Sequence, residues 1–483
     1  MKRSRWTEVT LPALALLLVG LLNGSGFYLR RIGLLDQRTY RAELQQFCDP
    51  PIPRFWLPSR CRAATLLSIH PLQIRLIPFG RLHQNLGPFL ALKLAKLVLL
   101  AGLVAEGLRR WLSPAHWFNQ DQRKHPPTGR HRLRVPDRVQ LAPALPLLIS
   151  TGLSLAISVG STPGPQLLVS LASVGWLLLL PLGGWLSRLP VMVSLAQAVA
   201  ALLALQVPLV LLEAMRGLPM AFGPWTQNIA PLPFALPSRL VGSFVHPNSL
   251  GAAVVCGFGF CLAYLPQRRL LPWLVAIGLV LVLAARSAAG LLGMSLLGLW
   301  WCRPARRLPW PLLASVLVGL LLLFLPATSR LLGRPDLLQS LSGRLGMYPA
   351  LLDPTQLFHL LFGRGLAVYS NQLASWLGPG HPLFVSFSDG MPALLLLQGG
   401  LLALGSFYGL LWWAWHRDRR GRPFLLAITL TSLTLNVTEL TPFGLLFGIA
   451  LNRALLLPPT RHWLTVGGTT RTPAGAVHSP PDL

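Results

Sequence analysis

The stretch LPWLVAIGLVLVLAARSAAGLLGMSLLGLWW, residues 271–301, decides the fold class. It is apolar almost throughout, and its one charged residue, Arg286, stands with Ser287 between two apolar blocks. A helix that spans a bilayer takes about 20 mostly apolar residues. The stretch therefore reads as two spanning helices, near 270–286 and 288–302, with a turn between them. Further blocks of this kind lie near 8–29, 87–108, 141–160, 165–186, 189–213, 246–265, 309–327, 390–415, 423–438 and 441–457. The predicted fold is all-α and polytopic, with about 12 transmembrane helices.

Composition agrees. Of 483 residues, 53% are apolar and 12% charged, against about 25% charged in a soluble domain. The net charge of +28 would suggest nucleic acid in a soluble protein. Here the Lys and Arg lie in short clusters between apolar blocks, with no basic stripe of interleaved aromatics, so the sequence points away from nucleic acid. Membrane lipids, or an anionic lipid-linked substrate, suit the surplus arginine better.

Those clusters set the expected topology. MKRSRW precedes the first block, which reads as an uncleaved helix with its N-terminus in the cytoplasm. Arg109, Arg110, Arg123, Lys124, Arg130, Arg132 and Arg134 then fall in one cytoplasmic connection, and Arg268 and Arg269 in the next. Arg303, Arg306 and Arg307 follow, and Arg417, Arg419, Arg420 and Arg422 complete the series. The segment 30–87 departs from the rule, because it lies outside yet carries nine Arg against three acids. Within it, Cys48 and Cys61 flank a Pro-rich stretch where a disulfide could persist, although their spacing alone assigns no pair.

The expected organisation is helices 1–9 over 1–327, a large periplasmic loop at 328–389, helices 10–12 over 390–457, and a small, polar, Pro-rich cytoplasmic tail at 458–483, expected to be disordered. The large loop between helices 9 and 10 is too long for a plain connector. No internal repeat is visible, which removes one common sign of a secondary transporter.

Four constellations gather at external helix ends. In PSRLVGSFVHPNSLG, 237–251, Arg239, His246 and Asn248 stand at the mouth of a helix; Pro247 and Asn248 also suit a plain helix start. In LAARSAAGLLG, 283–293, Arg286 with Ser287 is either a turn residue at the headgroup level or a cation facing a polar cavity. In SGRLGMYPALL, 342–352, and LFGRGLAVYS, 361–370, Arg344 and Arg364 lie near glycine-rich backbone, with Gly363 and Gly365 bracketing Arg364. A guanidinium fork matches phosphate oxygens, and small residues let backbone N–H groups approach; a solvated loop is the plain alternative. In HPLFVSFSDGMPALLLLQGGLLALG, 381–405, Asp389 opens the tenth helix and His381 lies eight residues before it.

Taken in order, SFVHPNSLG, AARSAAGLLG, SGRLGMYPALL, FGRG and SFSDGMPALLLLQGGLLALG resemble the O-antigen ligase and O-antigen polymerase superfamily, bacterial membrane glycosyltransferases acting on lipid-linked glycans. The motifs cover about 237–410. The resemblance implies a GT-C-like helical fold in the bacterial inner membrane, with the active site facing the periplasm. It implies a polyprenyl-diphosphate-linked glycan donor, a glycan or glycolipid acceptor, and neither cofactor nor metal. Arg239, Arg286 and Arg344, with Arg364, would hold the diphosphate. Asn248, Ser287, Gly363 and Gly365 would shape the pocket. The catalytic base would come from Asp389, His381 or His246. One departure stands out: where the ligases carry a His followed by a small polar residue before the tenth helix, this chain has Asp389–Gly390. That change fits a polymerase, or a ligase-like enzyme for another surface polysaccharide, better than a lipid-A-core ligase. The alternative expectation is a transporter of bicarbonate or another small solute, a label some members of the superfamily carry.

Overall fold

The computed structural model of the chain describes residues 2–22, 140–161, 174–215, 239–244, 247–301, 348–352, 354–366, 390–440 and 442–457, with single positions elsewhere. These residues are mostly helical and contain no strand. The architecture rests on α1 (Lys2–Leu22), α2 (Leu145–Ser161), α3 (Leu189–Met215), α4 (Pro247–Tyr264), α5 (Leu271–Ala285), α6 (Ala288–Trp301), α7 (Leu357–Phe362), α8 (Met391–Arg417), α9 (Arg422–Ser432) and α10 (Phe443–Leu456). Five stretches are long and apolar enough to cross a membrane: Ala142–Val159, Leu189–Leu211, Pro247–Tyr264, Arg268–Ala285 and Met391–Arg417. By length and composition this is a membrane protein.

The expected spans near 87–108 and 309–327 lie outside the described residues apart from isolated positions. The one expected near 165–186 takes a different form where it is described. Over Gly175–Trp185 the chain makes two short 3-10 turns around a single α turn, Leu179–Leu182. Pro181 lacks the N–H that a continuing helix needs, and Gly183–Gly184 follow it at once.

The innermost helix is α4, which touches α3, α5, α6 and α9. Its residues from Leu250 to Tyr264 are all buried. Close approach depends on missing side chains: a β-carbon on Gly259 would lie 2.9 Å from the Pro423 carbonyl oxygen and 2.7 Å from Ala427 Cβ, so α9 packs directly on the backbone of α4. Such contacts stabilise helix association in a bilayer, where dispersion and close backbone approach replace the hydrophobic effect between helices. The outer helices keep apolar surface exposed, as at Ile149, Val159, Leu211 and Val280. Lipid chains suit that surface.

The helices alternate so that chain ends collect at two poles. At one pole lie the 239–244 segment, the start of α4, the turn between α5 and α6, and the start of α8. At the other lie the α4–α5 turn, the α8–α9 turn, and the end of α10. This second pole carries Arg188, Arg268, Arg269, Arg417, Arg419, Arg420, Arg422 and Arg453.

Candidate functional site

The turn between α5 and α6 is built as tightly as a helical hairpin allows. Ala285 is the last residue of α5. Arg286 N–H donates to the Leu283 carbonyl (3.0 Å) and Ser287 N–H to that of Val282 (3.2 Å), the pair of bonds that closes a helix through a left-handed residue. That residue is Arg286, at φ 48° and ψ 46°, the position glycine usually takes. A non-glycine residue there costs roughly 1–2 kcal/mol. Ser287 then caps α6, its Oγ accepting from Gly290 N–H at 3.2 Å. Gly251 of α4 abuts Ser287, where a β-carbon would lie 2.5 Å from Ser287 Cβ, and a β-carbon on Gly290 would lie 3.1 Å from Gly251 Cα. The crossing of α4 and α6 thus fixes Ser287 and, with it, Arg286.

The segment 239–244 completes this helix end. Leu240 N–H donates to the Ala284 carbonyl at 3.0 Å, and Arg239 Nε to that of Ala285 at 3.0 Å. A helix leaves its last four carbonyls without intrahelical partners. Here residues 282 to 285 are each satisfied, two by the turn and two by the incoming segment. The other end of the segment is held by α3 and α1: Ser243 N–H donates to Gln206 Oε1 (2.8 Å) and Ser243 Oγ to the Gly20 carbonyl (3.3 Å). Gly242, at φ 58°, leaves no room for a β-carbon beside Gln206.

Arg239 Nη2 donates to Asn248 Oδ1 at 2.6 Å. Asn248, in the first turn of α4, therefore serves an arginine from the incoming segment. Arg239 is 1% exposed and Arg286 fully buried. Four expected site residues, Arg239, Asn248, Arg286 and Ser287, converge on one helix end, and two of them are buried cations. Burying a guanidinium costs several kcal/mol before compensation, and Arg239 bonds the carbonyl of the residue just before Arg286.

Gly363, Arg364 and Gly365 form a second group. Helix α7 ends at Phe362, and Gly363 turns the chain at φ 74° into the middle of α8. Helix α8 is broken there: Gly400 has φ 66° and ψ −161° inside an otherwise helical run. Arg364 and Gly365 N–H groups donate to the carbonyls of Leu397 (2.7 Å) and Gln398 (3.2 Å), and Leu366 N–H to that of Ser154 on α2 (3.0 Å). Gln398 Nε2 returns a bond to the Leu366 carbonyl at 2.7 Å. A β-carbon on Gly363 would strike the Gln398–Gly399 peptide, and one on Gly400 the Leu361–Phe362 peptide. Gly400 lies nine residues from the start of α8, about 13 Å along it. The FGRG turn therefore reaches well inside the depth of a spanning helix, where the sequence had suggested an external loop. Arg364 itself is half-buried and bonds the Gln356 side chain.

His246, Arg344, His381 and Asp389 lie outside the described residues, as do Cys48 and Cys61. No protein-family model matches the chain, and no curated protein matches it.

The arginine-rich pole holds a cluster that sequence reading passed over. Asp418, 3% exposed, accepts from Tyr264 Oη at 3.0 Å and pairs with Arg453 Nε at 3.3 Å. Arg453 Nη1 reaches on to the Ser187 carbonyl (3.1 Å) and Arg420 Nε to that of Ala263 (3.0 Å). Arg420 and Arg453 both lie 6.0 Å from the Tyr264 ring centre. An acid between arginines at a helix end reads as loop solvent contact. The signal available was that Asp418 is the lone acid in HRDRRGRP, 416–423.

Proposed function

We propose that the protein is a membrane glycosyltransferase that moves a glycan from a polyprenyl-diphosphate carrier to an acceptor hydroxyl, as a surface polysaccharide polymerase or an O-antigen-ligase-like enzyme. The observation that carries the reading is the convergence of buried Arg239 and Arg286, with Asn248 and Ser287, on the closed end of α5. Arginine occupies the left-handed position that glycine would fill more cheaply, so the fold bears a strain that puts a guanidinium at this point.

In the reaction, the acceptor oxygen forms a bond to the anomeric carbon as the bond from that carbon to the diphosphate oxygen breaks. The electron pair leaves with the polyprenyl diphosphate, and the acceptor proton passes to a base. One displacement inverts the anomeric centre. Negative charge grows on the leaving diphosphate, and fixed guanidinium groups in a dry setting stabilise it best. Arg239 and Arg286 take this role, with Arg344 and Arg364 as further diphosphate ligands and Asp389, His381 or His246 as the base. Arg239 and Arg286 are covered in this conformation, so a diphosphate reaches them only when the cover moves. The arginine-rich pole belongs in the cytoplasm by the positive-inside rule. That orientation sets the Arg239–Arg286 pole on the periplasmic side of a bacterial inner membrane.

One observation favours a second reading, a small-solute transporter. Helix α8 is broken at Gly400, and solute sites in transporters lie on broken helices near mid-membrane. The transferase reading rests on Arg239 and Arg286, which stand at a helix end.

Analysis of lipid-linked glycans in cells lacking the protein separates the two. Accumulated polyprenyl-diphosphate-linked units with loss of long surface glycan, reversed by the wild-type protein, support the transferase. Unchanged glycans with altered solute uptake support the transporter.

A further inference from the structure

The arginine-rich pole is ordered beyond what a topology signal needs. Arg268 Nη1 donates to the Leu262 carbonyl at 3.1 Å, and Arg420 Nε to the Ala263 carbonyl at 3.0 Å. These are successive carbonyls in the last turn of α4, reached by arginines from two different turns: one from the α4–α5 turn, the other from the α8–α9 turn. Each guanidinium carries five N–H donors, so most of both forks remain for another acceptor. Arg269 and Arg419, next in sequence to each, are exposed, as are Arg268 and Arg420 themselves. At this pole the described residues set eight arginines against one acid, Asp418, which is buried on Tyr264 and Arg453.

What lies beside the arginines is apolar. Leu270 directly follows Arg269 and is 45% exposed, and Trp273, at the start of α5, is 70% exposed. The exposed line then runs along α5 through Leu279, Val280 and Leu283. A site that is cationic at a helix end and apolar down the adjoining helix matches a molecule with an anionic head and acyl tails. Trp at such a boundary sits at the headgroup level. A nucleotide or a free phosphate would use the arginines but leave Leu270, Trp273 and the rest of that line without a role.

We infer that an anionic phospholipid binds here, its phosphodiester between Arg268 and Arg420 and its chains along Leu270 and Trp273 on α5. The bound lipid ties the α4–α5 turn to the α8–α9 turn. The proposal does not depend on the reaction assigned above.

The test uses full-length protein purified in neutral detergent, with thermal unfolding followed as phosphatidylglycerol or phosphatidylcholine is added. Phosphatidylglycerol raises the midpoint saturably, raised salt weakens the effect, and phosphatidylcholine leaves the midpoint unchanged. Two surface arginines together contribute about thirtyfold in affinity for an anionic headgroup, so Arg268→Gln with Arg420→Gln weakens the response by about that factor. If that variant does not fold, Arg268→Lys with Arg420→Lys keeps the charge and loses the forks, and it weakens the response less. Equal stabilisation by phosphatidylcholine, or an unaltered response in the substituted protein, overturns the proposal. Saturation by inorganic phosphate at the same affinity also overturns it, in favour of a plain anion site.

Discussion

Arg239 donates through Nε to the carbonyl of Ala285, the residue that precedes Arg286. One arginine thus closes the helix whose next residue is the other, which ties the Arg239 guanidinium to the backbone that carries Arg286. Asn248 holds the Nη2 of the first at 2.6 Å, and Ser287 anchors the second by capping α6.

Arg286→Gly separates a structural role from a chemical one. Glycine relieves the left-handed strain, so the thermal midpoint in detergent holds or rises, with about 1 kcal/mol available from the backbone. Transfer activity falls about 100- to 1000-fold, as for loss of one preorganised donor to a developing anion. Retained activity in a stable Arg286→Gly protein would show that the residue is only a turn.

Asn248→Ala removes the acceptor of Arg239 Nη2 and leaves the backbone of α4 intact. A hydrogen bond to a charged group contributes about 1.5–3 kcal/mol, so activity drops by roughly 10- to 100-fold. The same lost bond lowers the thermal midpoint, by up to about 1.5–3 kcal/mol of stability, so activity is compared per folded molecule. Asn248→Asp, which keeps the acceptor oxygen, recovers part of the activity.

Gly400→Ala tests the break in α8. Its φ of 66° with ψ −161° belongs to a region open essentially to glycine, and a β-carbon would meet the Leu361–Phe362 peptide. The protein loses more than about 2 kcal/mol, seen as a lowered midpoint and poor recovery from membranes. Gly405→Ala, on the same helix with open space around it, is the control and is tolerated.

Asp418→Asn breaks the cluster at the opposite pole. Removing one partner of a buried ion pair costs about 3–5 kcal/mol, while Tyr264→Phe, which removes one hydrogen bond to the same carboxylate, costs about 1 kcal/mol. Both losses appear in thermal unfolding. Activity per folded molecule stays near wild type, because the cluster lies at the far pole from Arg239 and Arg286.

Much of the helical layout was legible in the sequence because hydropathy and turn residues mark where a helix can stop. The α5–α6 turn at Arg286–Ser287 and the α4 start at Pro247 fall where polar residues interrupt apolar blocks. Helix α9 ends at Ser432, short of the expected 438, where Thr429, Thr431 and Ser432 hydroxyls bond back to helix carbonyls and compete with its continuation. The break at Gly400 was not legible, because two glycines in an apolar run change hydropathy little and the partner peptide comes from 361–366. Gln206 and Asp418 escaped for a related reason: each acts through residues distant in sequence, Ser243 and Tyr264. Convergence of Arg239 with Arg286 was legible only as shared sidedness; their common helix end needed coordinates.

The central claim is that these arginines stabilise a departing polyprenyl diphosphate. The most direct measurement follows release of polyprenyl diphosphate from a polyprenyl-diphosphate-linked glycan by the purified protein in liposomes, comparing wild type with Arg239→Ala and Arg286→Gly. The account predicts acceptor-dependent release by wild type and loss of release in both variants, with donor still bound after the acceptor is added. Wild-type protein that releases none under any acceptor, or variants that release it at the wild-type rate, would contradict it.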